Sequence, residues 1–139
     1  MKTPWRPEMN DMVEQELSEQ DLAKLIPEFY ARVRGDPALG PIFDGAIGDW
    51  DEHLEKLQAF WSSVMLTSGR YKGQPMAAHL RHDGAMTAAN FDRWLALWRE
   101  TTDDILHPKN AFVLQEKAAR IAESLQLGVQ FQRERLAKS

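Results

Sequence analysis

The chain contains no cysteine. That absence removes a disulfide framework, a thiolate zinc site and an iron–sulfur cluster in one step, so any metal must be held by nitrogen or oxygen. No apolar run approaches the ~18 residues of a membrane span, and the first residues, MKTPWRPEMNDMVEQ, lack the apolar stretch of a secretory signal. A cytoplasmic protein without membrane contact is the default expectation. Basic charge is not in excess: 17 Lys and Arg against 21 Asp and Glu leave −4, which gives no footprint for nucleic acid. Small molecules or proteins are the expected partners. A sustained two-residue alternation of β-branched side chains is missing too, as are internal repeats and low-complexity tracts.

What remains is an average globular composition, 43% hydrophobic and 27% charged in 139 residues, enough for one domain with a core. Residues 1–17 hold two prolines and no clear period, and are expected to form a flexible leader. SEQD, Ser18 to Asp21, has the form of a capping box, after which Leu22, Leu25, Ile26, Phe29 and Val33 recur at helical spacing. Pro27 should kink that helix or split it in two. GDPALGPIFDGAIGD, 35–49, is dense in glycine and proline yet carries Leu39, Ile42, Phe43 and Ile47, which marks a folded corner. In WDEHLEKLQAFW, 50–61, His53 shares a helical stripe with Leu57, Phe60 and Val64, with Trp50, Leu54, Trp61 and Met65 beside it, so the imidazole should face inward.

That helix should end near Met65, before the polar loop TSGRYKGQP, 67–75, and the short segment MAAHLRH. Phe91, Trp94, Leu95, Trp98 and Ile105 then form an inward stripe ending near His107-Pro108. Leu114, Ala118, Ile121, Ala122 and Leu125 predict a last helix, with Gly128 as its stop and 131–139 as a tail. The reading is all-α. A plain bundle and a globin-like packing satisfy the pattern equally.

Six positions, three of them histidines, carry possible chemistry. His79 has apolar neighbours and either bonds a carbonyl or ligates a metal. Paired with His53 from another segment, it suggests a planar iron cofactor held between two imidazoles, His79 on the iron and His53 near the open position. His79 and His82, with Asp83 or a glutamate, would instead make a zinc site, a weaker reading for want of further ligands. Tyr30 and Trp94 each carry a polar atom on a large apolar ring. Either they are ordinary packing residues, the Tyr30 hydroxyl reaching solvent, or they converge with His53 into a donor-rich pocket.

The pieces LIPEFYARVRGDPALGPIF (25–43), DEHLEKLQAFWSSVML (51–66), YKGQPMAAHL (71–80) and FDRWLALW (91–98) resemble, in order, the third group of the truncated haemoglobins. The resemblance covers the chain from about residue 18 to the end of the last helix. It implies a truncated globin fold over 18–130, a two-over-two helical sandwich around one haem b. By motif position His79 would be the iron ligand, Phe43 the corner phenylalanine on the haem face, and Tyr30, Trp94 and His53 the distal polar set. Phe29 and Leu57 would form apolar distal wall, with Phe60, Tyr71 and Met76 near the haem. The ligands implied are O2, NO or CO, in a monomer or weak dimer. The activity implied is redox chemistry such as NO or peroxide detoxification with an external reductase, or alternatively non-enzymatic gas sensing, storage or carriage.

Overall fold

The computed structural model describes residues 16–73 and 83–138. Among these, five α-helices follow one another with no strand: α1 (Glu19–Gly35), α2 (Gly40–Ala46), α3 (Trp50–Leu66), α4 (Ala88–Ile105) and α5 (Pro108–Ala137), with a 3-10 turn at Asp83–Ala85 before α4. Helix α1 packs on α3 and α4 packs on α5, and the two pairs meet where α1 lies against α4. The architecture is all-α and two-over-two.

Each helix start is chemically marked. At α1 the Ser18 hydroxyl accepts from the Asp21 N–H at 3.2 Å while the Asp21 carboxylate accepts from the Ser18 N–H at 3.0 Å, completing the predicted capping box. Asp49 caps α3 through the Glu52 N–H, and Thr87 caps α4 through the Asn90 N–H, both at 3.1 Å. His107 caps α5, its Nδ1 accepting from the Lys109 N–H at 3.1 Å. The α1 stripe Leu22, Leu25, Ile26, Phe29 and Val33 is fully buried, and with Trp61, Trp98 and Leu114 it forms the main core. Amphipathic spacing therefore puts one face of α1 at the centre of the molecule.

The two break signals do not end their helices. Of the two outcomes expected at Pro27, the split is absent: helix α1 runs unbroken for 17 residues. Pro27 and Ala23 are both exposed, so the Ala23 carbonyl that loses its partner has water to replace it. Nor does α5 stop at Gly128, since the helix spans 30 residues to Ala137. A glycine inside a helix costs only about 1 kcal/mol, and buried Leu125 and Val129 on either side hold the helix through it.

The folded corner expected at 35–49 contains a short helix, α2, whose entry is tightly packed. A Cβ built on Gly40 would overlap the Arg34 carbonyl oxygen, so only glycine lets α2 approach the end of α1 this closely. Alanine is the better helix former, yet Gly40→Ala is expected to lower stability in urea unfolding by about 1–3 kcal/mol through overpacking. An unchanged unfolding midpoint would mean that α2 shifts freely. Asp36 governs the same corner: its carboxylate accepts from the Ala38 and Leu39 N–H groups at 3.0 and 2.9 Å and from Arg93 on α4. The Arg93 guanidinium and the two backbone donors hold this carboxyl down at about 2. What it adds to stability is therefore complete above about pH 4 and is lost as pH falls toward 2.

Candidate functional site

Helices α1, α2, α3 and α4 bring a chain of aromatic rings to one end of the α1–α3 pair. Tyr30 is central, only 4% exposed. Its ring lies 4.7 Å edge-on from Phe29, 5.8 Å from Phe43, and 6.0 Å from both Trp50 and His53. Trp94 joins from α4, edge-on to Phe29 at 5.3 Å, which places its indole on the same ring that Tyr30 meets. An indole nitrogen can only donate, so toward Trp94 the Tyr30 oxygen can only accept, and its own O–H remains a donor. Burial pushes the Tyr30 phenol well above its usual 10, and the influence of Trp94 opposes this only in part. Tyr30 is thus a neutral donor at any physiological pH.

His53 faces the cluster, as the stripe on α3 predicts. It is half-buried, edge-on to Tyr30 and to Trp50, the latter at 5.7 Å. The stripe continues through Leu57, Phe60 and Val64, all half-buried. Beyond α3 the cap residue Thr67 adopts a left-handed φ of 55°, which turns the chain back along the helix. The Tyr71 N–H then donates to the Ser63 hydroxyl at 2.8 Å, and the Tyr71 ring meets Phe60 edge-on at 5.3 Å. The structure therefore brings together Tyr30, His53, Trp94, Phe29 and Phe43, and pairs Phe60 with Tyr71 further along the same helix. Phe29 is fully enclosed by Tyr30, Trp94 and Trp98, the last edge-on at 4.8 Å. Met76, His79 and His82 lie outside the described residues.

Trp50 belongs to the cluster, although the sequence pattern alone leaves it beside the His53 stripe rather than at the site. Its indole N–H donates to the Asp44 carboxylate at 3.2 Å, the same oxygen accepts from Arg34 at 3.1 Å, and the Arg34 guanidinium sits 4.5 Å over the Trp50 ring. Only the i to i+3 spacing of Trp50 and His53 hints at this contact; Arg34 and Asp44 arrive from other helices.

The side chains suit haem. Phe43, Leu57 and Phe60 offer half-buried apolar surface, against which a flat, mostly apolar ring would remove further area from water. The polar atoms of Tyr30, Trp94 and His53 are gathered at one end of it. Among the described residues, no group of three or more His, Cys, Asp or Glu side chains comes together to hold a bare metal ion.

Known proteins resemble this chain in sequence and in fold. The chain is 35% identical over 114 residues to the group 3 truncated hemoglobin ctb of Campylobacter jejuni, spanning 79% of this chain and 89% of that protein. The crystal structure of the group III truncated hemoglobin from Campylobacter jejuni matches the fold with a TM-score of 0.73 at 32% identity, covering 83% of this chain and 93% of that one. No family model matches. With sequence identity at this level running nearly the length of the relative, and the same helical architecture, the chain belongs to the group 3 truncated haemoglobins.

Proposed function

We propose that this haem globin holds a diatomic ligand against the Tyr30 hydroxyl and uses it for redox chemistry, such as NO or peroxide detoxification, with electrons from an external reductant. Haem b, when bound, would supply the iron that takes O2, NO or CO. His79 would hold that iron, its second ring nitrogen donating to a carbonyl or water. Phe43, Leu57 and Phe60 would flank the ring, with Met76 and Tyr71 nearby. Phe29 would act on the pocket through the rings it supports.

The observation that supports this reading is the buried Tyr30 side chain, with Trp94 and His53 gathered around it and Phe29. The Tyr30 hydroxyl would make the direct contact with the ligand, and the Trp94 indole, which can only donate, would supply a second donor. His53 stands at the edge of the same pocket, positioned by Trp50. A hydrogen bond to a polarised ligand is worth about 1.5–3 kcal/mol, so each one lost should speed release at least about tenfold.

Tyr30→Phe is accordingly expected to raise the O2 dissociation rate at least about tenfold in stopped-flow mixing. An unchanged rate would mean the hydroxyl makes no ligand contact. Slow release suits turnover better than carriage. Fast O2 release by the parent protein, with no NO consumed in the presence of a reductant, would overturn the enzymatic reading in favour of sensing, storage or carriage.

A further inference from the structure

The ion pairs of the described residues are of two kinds. Those made by Arg32, Arg34, Lys56 and Arg70 use carboxylates whose side chains are 45% to 64% exposed. Such pairs add little to stability or geometry. Asp36 is different: its side chain is 5% exposed. Arg93 Nε donates to its two oxygens at 2.7 and 2.8 Å, and Nη2 approaches Oδ1 at 2.6 Å. With the Ala38 and Leu39 N–H groups on Oδ2, one carboxylate ties together the end of α1, the turn into α2 and helix α4.

Those are the elements that carry the pocket. Tyr30 lies six residues before Asp36 on α1, about 9 Å along the helix axis. Trp94 directly follows Arg93 on α4, and Phe43 belongs to α2. Tyr30 on α1 and Trp94 on α4 both meet the Phe29 ring, so their spacing depends on how those helices are held. A planar guanidinium gripping both oxygens of an enclosed carboxylate fixes orientation as well as distance.

We propose that Asp36 and Arg93 are positioning residues for the distal pocket, the two-oxygen pair holding α1 against α4 so that the Trp94 indole keeps its place beside Phe29 and Tyr30. The proposal rests on the ligand-binding role given to Tyr30 above. Neither residue touches the ligand; both act through Tyr30. The carboxyl is held at about 2, so it stays charged across the physiological range and the pair is a fixed strut, not a pH switch.

The test uses Arg93→Gln, because Arg93 is half exposed and its loss leaves the core intact, with Asp36→Asn as the complementary variant. O2 dissociation is measured by stopped flow on the reduced, haem-loaded protein for the parent, Arg93→Gln, Arg93→Lys, Tyr30→Phe and the Arg93→Gln/Tyr30→Phe double variant. Arg93→Gln should speed release about fivefold when Tyr30 is present and leave it unchanged when Tyr30 is already phenylalanine, the non-additivity expected of residues acting as one unit. Arg93→Lys, which keeps the charge without the fork, should restore part of the parent rate. An equal acceleration in both backgrounds, or none in either, overturns the proposal.

A second readout does not depend on ligand binding. The 15N–1H resonance of the Trp94 indole, assigned by its disappearance in Trp94→Phe, should shift in Arg93→Gln and Asp36→Asn in the protein as purified. An unmoved resonance overturns the strut. Should Tyr30→Phe itself leave O2 release unchanged, the ligand role of Tyr30 falls, and the indole resonance still decides whether Arg93 sets the place of Trp94.

Discussion

A His79→Ala chain is expected to emerge from purification without stably bound haem, where the parent shows a Soret band. The chain has four histidines and no cysteine, so the choice of axial nitrogen is short. His107 is committed to capping α5. His53 stands among Tyr30 and Trp50 in the proposed distal pocket. His79 and His82 remain, and the match to the family's motif order favours His79. Loss of outer-shell partners alone costs metal affinity about 10–100-fold, so loss of the ligand itself should exceed that range. Absorption spectra of the oxidised and reduced protein after haem reconstitution make the check. A normal five- or six-coordinate spectrum in the alanine variant would move the assignment to His82. His53→Ala, by contrast, should retain haem and change ligand kinetics.

Trp98→Ala should produce the largest loss of stability. Trp98 is fully buried, stacked on Trp61 with centroids 4.5 Å apart and on Trp94 at 5.7 Å, and its indole N–H donates to the Leu114 carbonyl at 3.1 Å. The side chain thus joins α3, α4 and α5 at one point. Truncation opens a cavity and removes the indole bond to the Leu114 carbonyl, which keeps its place in the α5 ladder, for an expected cost of about 3–5 kcal/mol and a fall in Tm of about 10–20 °C in thermal circular dichroism. Trp98→Phe isolates the polar part: it keeps most of the ring contact and should cost about 1–3 kcal/mol. If the alanine variant melts within about 3 °C of the parent, well under the shift expected for such a loss, Trp98 is not the keystone the packing implies.

What could be read from the sequence was what neighbouring residues decide among themselves. The Ser18–Asp21 box, the α1 stripe and the inward turn of His53 depend on spacing within a few helical turns, and all three are present. Gly128 misled, and Pro27 left a split helix open as one outcome, for the opposite reason. Each is a local break signal, and the solvent-facing Ala23 carbonyl in one case and the burial of Leu125 and Val129 in the other decide the outcome. Helix α2 was hidden because seven residues with two glycines and a proline show no period. The convergence of Tyr30, Trp94 and His53 was posed by the sequence as one of two alternatives. The Trp94 contact with Phe29, the Trp50 clamp and the Asp36–Arg93 pair could not be foreseen, since each joins segments separated in the chain by packing that no local pattern encodes.

Past Val129, helix α5 buries no side chain, while Phe131 and Leu136 are 67% and 62% exposed. Its last two turns are therefore held chiefly by backbone hydrogen bonds, which in so short a stretch barely outlast fraying. Amide protons there should exchange with deuterated solvent through local opening long before those near Leu114, whose release requires the whole domain to unfold. A single helix thereby contains both the fastest and the slowest exchanging amides of the α4–α5 layer.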